Sequence, residues 1–364
     1  MELCAITGIT YLLLDFNRLT GIVPEKIGNI TDLQYLGLSG NNLEGPIPTT
    51  LGQLKNLTTL YMYQNSLTGL IPEELSSLKS LSTLYLQNNL LTGSVPENIL
   101  TLPLLTTIDL SFNPLLTGTL HHIFNSTDSM KGLRYVNLAG MKISGSLPDA
   151  LFNYTTLDSL ILSSNCISGS IPMSVCDSNI KTLILDGIGI GHQCKKSKLR
   201  FYGTIPPCIF SMPSLNVLHL AGNGLTGQIG ELSGNCNLSE LNLSNNQLTG
   251  PLPLSTQYHY FNNSFSASAN RITGTLEDQY VLPGSYLSLY ANRLSGRPPS
   301  SMVNAPSTER FDLLSGNLFG CPKLANDVNS YSTSCGTRNL FDFLILWLVL
   351  ASIIIVTGKN IYIY

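Results

Sequence analysis

Asparagine returns every 24 residues at Asn17, Asn41, Asn65, Asn89 and Asn113. Around each stands the same frame, L-x-x-L-x-L-x-x-N-x-L, seen as Leu33, Leu36, Leu38, Asn41 and Leu43 in one copy and as Leu81, Leu84, Leu86, Asn89 and Leu91 in another. The frame recurs at Asn165, Asn223, Asn246, Asn270, Asn292 and, with one extra residue, Asn317, while Met141 and Ile188 hold the asparagine slot in two degenerate copies. About 13 repeats of ~24 residues result, because self-similarity at a fixed period marks a repeat architecture. No single unit of this size can bury its own leucines. The units must stack, and stability becomes a nearest-neighbour sum along the stack.

The spacing also dictates local structure. Leu-x-Leu puts two side chains on one face of a short strand and the residue between them on the other. Stacked units then give a parallel sheet with strands about 4.8 Å apart. The asparagine falls where the chain leaves the strand, and its amide can satisfy backbone groups of its own and the neighbouring turn. In "GLSGNNLEGPIPTTLGQLKNL", residues 37–57, Pro46 and Pro48 exclude a helix or a central strand across them. The leucines nevertheless keep step, so the breakers belong to the period. Length alone, 364 residues, would suggest two or three ordinary domains; the repeat replaces them with one elongated solenoid. Only 11% of residues are charged and the net charge is −3, which argues against a nucleic-acid partner.

A glycine and a hydrophobic-proline pair follow the frame in most copies: Gly21 with Val23-Pro24, Gly45 with Ile47-Pro48, Gly69 with Ile71-Pro72, Gly93 with Val95-Pro96, Gly145 with Leu147-Pro148, Gly169 with Ile171-Pro172 and Gly250 with Leu252-Pro253. With these residues the chain resembles the plant-type leucine-rich repeat family. The resemblance implies a leucine-rich repeat solenoid (α/β) over residues 1–320, with a parallel sheet on the concave face and an irregular or 3-10 convex side. It further implies a second strand from the x-G-x-I-P segment and prolines on the edge or convex side. The family is a recognition scaffold, so the fold alone names no ligand.

Specificity should reside where the period breaks. The interval lengthens from Asn113 to Met141 through "PLLTGTLHHIFNSTDSMKG", and from Ile188 to Asn223 through "GHQCKKSKLRFYGTIPPC". Insertions in solenoids loop out on one face, often the binding face. The second insertion carries Lys195, Lys196, Lys198 and Arg200, to be read either as a ligand-holding island or as a solvated basic loop pinned by a local disulfide. Near the other end, "NNSFSASANRITGTLED" lacks both strand leucines and predicts looser packing.

Strand positions between the leucines face the concave surface, where Tyr35, Tyr61, Tyr63 and Tyr85 cluster on adjacent strands with Asp109 beside them. Tyrosine offers large contact area at low entropic cost and is enriched in binding hot spots, although it also simply suits strands. This patch is the candidate site for a peptide or protein ligand. No catalytic constellation stands out: His192 near Cys194 has no second ligand pair for zinc, no phosphate-cradling glycine motif occurs, and kinase signatures are absent. The expectation is a non-enzyme with no metal and no cofactor.

The ends bear on compartment. Leu340 to Val356 is apolar except for Asp342, near the minimum for a membrane span. It predicts a transmembrane helix over 339–358 with a short tail, 359–364; a lipid-anchor signal is the alternative. Sequons at Asn29, Asn56, Asn125, Asn153 and Asn237, with further ones at Asn242 and Asn262, fit glycosylation on a secretory-pathway surface. By resemblance, residues 321–338 form the C-terminal cap and juxtamembrane linker, with Cys321 and Cys335 paired. The other cysteines are open; Cys194 with Cys208 and Cys166 with Cys176 are two options. Cys4 reads as the surviving half of an N-cap disulfide, so a signal peptide and cap are expected upstream of Met1. Together these features predict a cell-surface, single-pass glycoprotein with its solenoid outside. It resembles receptor-like proteins without a kinase, which would signal through a membrane co-receptor. The alternative is a structural or adhesive coat protein.

Overall fold

The computed structural model describes residues 8–124, 132–189, 194, 200–259, 264–277, 286–300, 310–313 and 315–319. They fall into two compact units. The first runs to Thr226 and includes Gly234–Leu238; the second comprises Gly227–Ser233 and the residues from Ser239 onward.

In the first unit nine three-residue strands pair in parallel and in chain order. They are β1 (Tyr11–Leu13), β2 (Tyr35–Gly37), β3 (Thr59–Tyr61), β4 (Thr83–Tyr85), β5 (Thr107–Asp109), β6 (Tyr135–Asn137), β7 (Ser159–Ile161), β8 (Thr182–Ile184) and β9 (Val217–His219). In the second unit β10 (Glu240–Asn242), β11 (Ser264–Ser266), β12 (Tyr286–Ser288) and β13 (Arg310–Asp312) pair in the same way. The middle residue of each strand points inward. Leu36, Leu60, Leu84 and Ile108 stand in register and are fully buried. The segment expected to be loose forms β11, where Phe265 takes the leucine slot and is fully buried. One aromatic ring there fills the volume that the missing leucines leave.

The x-G-x-I-P segments add a second row of parallel strands. Thr20–Ile22, Asn42–Pro46 and Ser66–Thr68 form one sheet, and Thr92–Ser94, Leu115–Thr119, Lys142–Ser146 and Cys166–Ser168 another. After this row Pro24, Pro48, Pro72, Pro148 and Pro172 each stand at the N-cap of a five-residue 3-10 helix, in extended conformation. Proline suits that place because its φ is already set and no N–H is required of it.

The asparagines tie successive repeats together. The Asn113 amide donates to the Leu86 carbonyl of the preceding repeat at 3.1 Å and to Leu110 at 2.9 Å, while its oxygen accepts from the Leu91 N–H at 3.1 Å. Asn41, Asn89, Asn165, Asn270, Asn292 and Asn317 make the same set. Asn223 keeps the contact across the long insertion, accepting from Ile188 at 3.1 Å. Each asparagine thus satisfies buried backbone groups that neither repeat could pair alone.

The cysteines of the insertion pair as Cys166–Cys194 and Cys176–Cys208, with Cα separations of 5.4 and 5.7 Å. This replaces both options left open above. The insertion is clamped back onto the preceding repeat, its second strand and its 3-10 helix, instead of being stapled to itself. Cys236 is free and buried. Peptide mapping without reduction is expected to recover the Cys166–Cys194 and Cys176–Cys208 linked peptides, and neither Cys194–Cys208 nor Cys166–Cys176.

Cys4, Cys321, Cys335, Asn125, Asn262, the expected span 339–358 and the tail lie outside the described residues. Among the described residues no helix is long and apolar enough to cross a membrane.

Candidate functional site

Parallel, in-register strands turn equal spacing in sequence into columns on the outer face of the sheet. Tyr11 faces Tyr35, and Tyr61 faces Tyr85. Their rings follow the strand spacing. Tyr61 and Tyr85 stack with centroids 4.9 Å apart and planes 10° from parallel. Tyr35 meets Tyr61 edge-on at 5.4 Å, and Tyr11 stacks on Tyr35 at 6.3 Å. Tyr63, one column over, packs edge-on against both Tyr61 (6.1 Å) and Tyr85 (6.3 Å). The four tyrosines singled out in the sequence therefore form one continuous aromatic surface, which Tyr11 extends.

Glycine makes room for it. Gly37 stands opposite Tyr61, and a Cβ there would overlap the Asp15 carboxylate and the Tyr35 ring. Asp15 uses that gap to accept from the Ser39 N–H at 2.8 Å.

Asp109 is less open than its outward column suggests. It is buried, and its carboxylate accepts from the Ser111 N–H (2.9 Å), the Ser111 hydroxyl (2.6 Å) and the Asn137 amide (2.9 Å). Its oxygens are taken up within the protein, so it shapes the site and lends it charge rather than offering an open ligand contact. The Asn137 amide also donates to the Tyr135 hydroxyl at 3.4 Å, which joins Tyr135 to the cluster.

Reasoning from sequence did not single out Phe16 and Phe112. Both sit immediately before a repeat asparagine with φ of 53° and 54°, the left-handed region, and both are exposed (68% and 55%). The left-handed backbone belongs to this slot of the repeat, since Gln64, Asn88, Ser164 and Asn245 adopt it as well; what sets Phe16 and Phe112 apart is the large exposed ring they carry there. Phe16 packs edge-on against Tyr63 at 6.1 Å. The same slot is glycine in neighbouring repeats, at Gly40 and Gly140, and a Cβ there would press on the Phe16 and Phe112 rings respectively. A phenylalanine where sister repeats hold glycine was the available signal.

Burial raises the phenol pKa of Tyr35, Tyr61, Tyr85 and Tyr135. Nearby carboxylates push the same way, Asp15 at Tyr35 and Tyr61 and Asp109 at Tyr85 and Tyr135. These hydroxyls stay protonated at physiological pH. Native stability that is complete below the ordinary tyrosine value of about 10 is lost as pH rises through the raised values. Ultraviolet titration at 295 nm should show a fraction of tyrosines ionising late in the native chain and normally after denaturation. Coincident native and denatured curves would contradict the packing.

Of the basic insertion, only Cys194 and the residues from Arg200 onward are described. Lys195, Lys196 and Lys198 lie outside the described residues. Arg200 is exposed, and its carbonyl accepts from the Gly169 N–H at 3.1 Å on the second-strand flank. Of the other charged groups, Arg134 and Lys181 both reach Asp158 at 2.8 Å, and His219 lies 3.6 Å from Asp186. Among the described residues no cluster of three or more His, Cys, Asp or Glu is placed to hold a metal ion.

Parallel strands, an asparagine ladder and, in most repeats of the first unit, a proline-led 3-10 turn define a leucine-rich repeat solenoid. Models described as leucine rich repeat match residues 7–67, 56–115 and 237–258. Leucine-rich repeats thus occupy these residues, and the fold around them resembles that of plant-type leucine-rich repeat ectodomains. The chain is 33% identical over 116 residues to "Receptor-like kinase TMK2" of Arabidopsis thaliana, a match spanning 31% of this chain and 12% of the relative. Its structure is similar to the LRR ectodomain of the plant membrane receptor kinase GASSHO1/SCHENGEN3 from Arabidopsis thaliana, solved in complex with CASPARIAN STRIP INTEGRITY FACTOR 2. That match has a TM-score of 0.73 and 28% identity, over 87% of this chain and 40% of the other. It is also similar to the PEPR1–AtPEP1 crystal structure, with a TM-score of 0.72 and 26% identity over 88% of this chain and 47% of the other. The chain thus spans less than half the length of each of these proteins.

Proposed function

We propose that this chain is an extracellular recognition protein of the receptor-like kind, which binds a peptide or protein ligand on the Tyr35–Tyr61–Tyr63–Tyr85 surface. The observation that carries this reading is the continuous ring contact from Tyr11 to Tyr85. A row of half-buried, mutually packed aromatic rings is pre-organised, so a partner gains contact area without ordering the side chains that supply it. Support also comes from the similar GASSHO1/SCHENGEN3 ectodomain, which was solved with a bound factor.

In this reading the protein is non-catalytic and is held at the cell surface by the apolar segment near its C-terminus. It signals through a membrane co-receptor. Asn29, Asn56, Asn153 and Asn237 are exposed, as glycan acceptors must be. The test is affinity capture from the native tissue with the full chain, wild type against a Tyr61→Ala/Tyr85→Ala variant. A specific partner held by the wild type and weakened at least about 100-fold in the variant is expected, from two hot-spot truncations. Equal capture by both would place recognition elsewhere. Capture of nothing but further copies of this chain would favour the adhesive reading.

A further inference from the structure

The aromatic surface has a sign. Across β1–β9 the outward columns comprise the first and third residues of each strand and the residue two further on. In these columns the charged residues are Asp15, Asp109, Asp186 and His219. Lysine and arginine are absent from them. Asp15 lies beneath Tyr35, and Asp109 adjoins Tyr85 in register. Both carboxylates are fixed by hydrogen bonds from N–H and O–H donors inside the protein, Asp15 from Ser39 and Asp109 from Ser111 and Asn137. Tyr61 and Tyr85 turn their faces to each other, so the sign of this surface is set by the anchored carboxylates rather than by open π-faces. An acidic or phosphorylated ligand would be repelled.

The surface also has a length. Phe16 follows β1 and Phe112 follows β5, and both project as exposed rings at the two ends of the tyrosine row. Four strand intervals of about 4.8 Å separate them by roughly 19 Å, which about six residues of extended chain would cross at ~3.3 Å each.

We infer that this face takes a cationic, extended peptide segment of about six residues. Its arginine or lysine side chains lie along the Tyr61, Tyr63 and Tyr85 row within reach of the Asp15 and Asp109 charges, and its ends meet Phe16 and Phe112. The inference rests on the proposed recognition role and names the chemistry of the ligand. Guanidinium is the better fit of the two cations, because it is planar, stacks on aromatic faces and is weakly hydrated.

The experiment is isothermal titration calorimetry of the full chain with four probes: the hexapeptide (Arg-Gly)3, its uncharged isostere (citrulline-Gly)3, the acidic (Glu-Gly)3 and the neutral glycan cellohexaose. The arginine peptide is expected to bind about tenfold or more tightly than the citrulline peptide, and to weaken as salt rises. The acidic peptide and the glycan are expected not to bind. Tyr61→Phe keeps the ring that packs against Tyr35 and Tyr85 and should retain binding, whereas Tyr61→Leu breaks the aromatic row and should lose most of it. Asp15→Asn should weaken the arginine peptide severalfold while leaving the citrulline peptide unchanged.

Equal binding of the arginine and citrulline peptides would overturn the inference, as would arginine binding untouched by Tyr61→Leu, or binding by cellohexaose alone. The broader reading fails separately. If tissue capture depends on Tyr61 and Tyr85 but the partner presents a neutral or acidic segment, recognition stands and the cationic assignment falls.

Discussion

Replacing Asn113 with alanine is expected to destabilise the folded chain by about 3–5 kcal/mol, among the larger effects of a single substitution. The Asn113 side chain is fully buried, and its amide reaches carbonyls in two repeats while its oxygen holds the Leu91 N–H. Alanine removes all of these partners at once. Each buried backbone group left without a partner costs on the order of 1–3 kcal/mol. The matched control is Asn17→Ala. Asn17 is exposed, and the hydrogen bonds of its amide go to Leu14 and Asp15 in its own turn, so its loss should cost less than about 1 kcal/mol. Urea unfolding of both variants, read as the midpoint shift at constant m-value, checks the difference. Equal shifts would mean that the asparagines act as local turn residues and not as ties between repeats.

Leu84→Ala is expected to cost about 2–5 kcal/mol. Leu84 is fully buried between Leu60 and Ile108 in the inward column of the sheet. Its removal loses the burial of the missing methyl groups and leaves a cavity that both neighbours border. In a stack where each repeat touches only the next, such a cavity weakens two interfaces in mid-unit. The site should suffer with it, because Leu84 is the residue before Tyr85 and fixes the strand that carries it. Hydrogen exchange offers the check. Backbone amides of β3, β4 and β5 should lose protection more than those of β8. Uniform loss along the first unit would point to global rather than nearest-neighbour coupling.

Much of the candidate site was legible before the fold was known. A strict 24-residue interval means that residues spaced by 24 share a column, so Tyr61 and Tyr85 had to meet once the strands were parallel. The same logic placed Asn41, Asn89 and Asn113 in one ladder. It faltered where the interval changes. Between Asn165 and Asn223 the repeat length passes through 23 and 35 residues, and no column rule then says which cysteine lies beside which. The observed pairs join the insertion to the repeat before it because its return strand runs back along Gly169. The burial of Asp109 was not legible for a different reason. Its column is outward, but Ser111 and Asn137 supply donors at hydrogen-bonding distance and draw the carboxylate down among them.

Periodicity by itself determined the fold class, the parallel order of strands, the buried leucine column and the neighbourhood of the tyrosines. All of these follow from spacing along a chain whose units must stack. Tertiary structure decided which groups stay open to a partner. Whether a carboxylate faces solvent or three donors, and which thiols come within bonding reach, depend on atoms that repeats contribute jointly. A period read from one chain specifies the repeat; the surface it presents is specified only when neighbouring repeats close on each other and compete for the same hydrogen bonds and space.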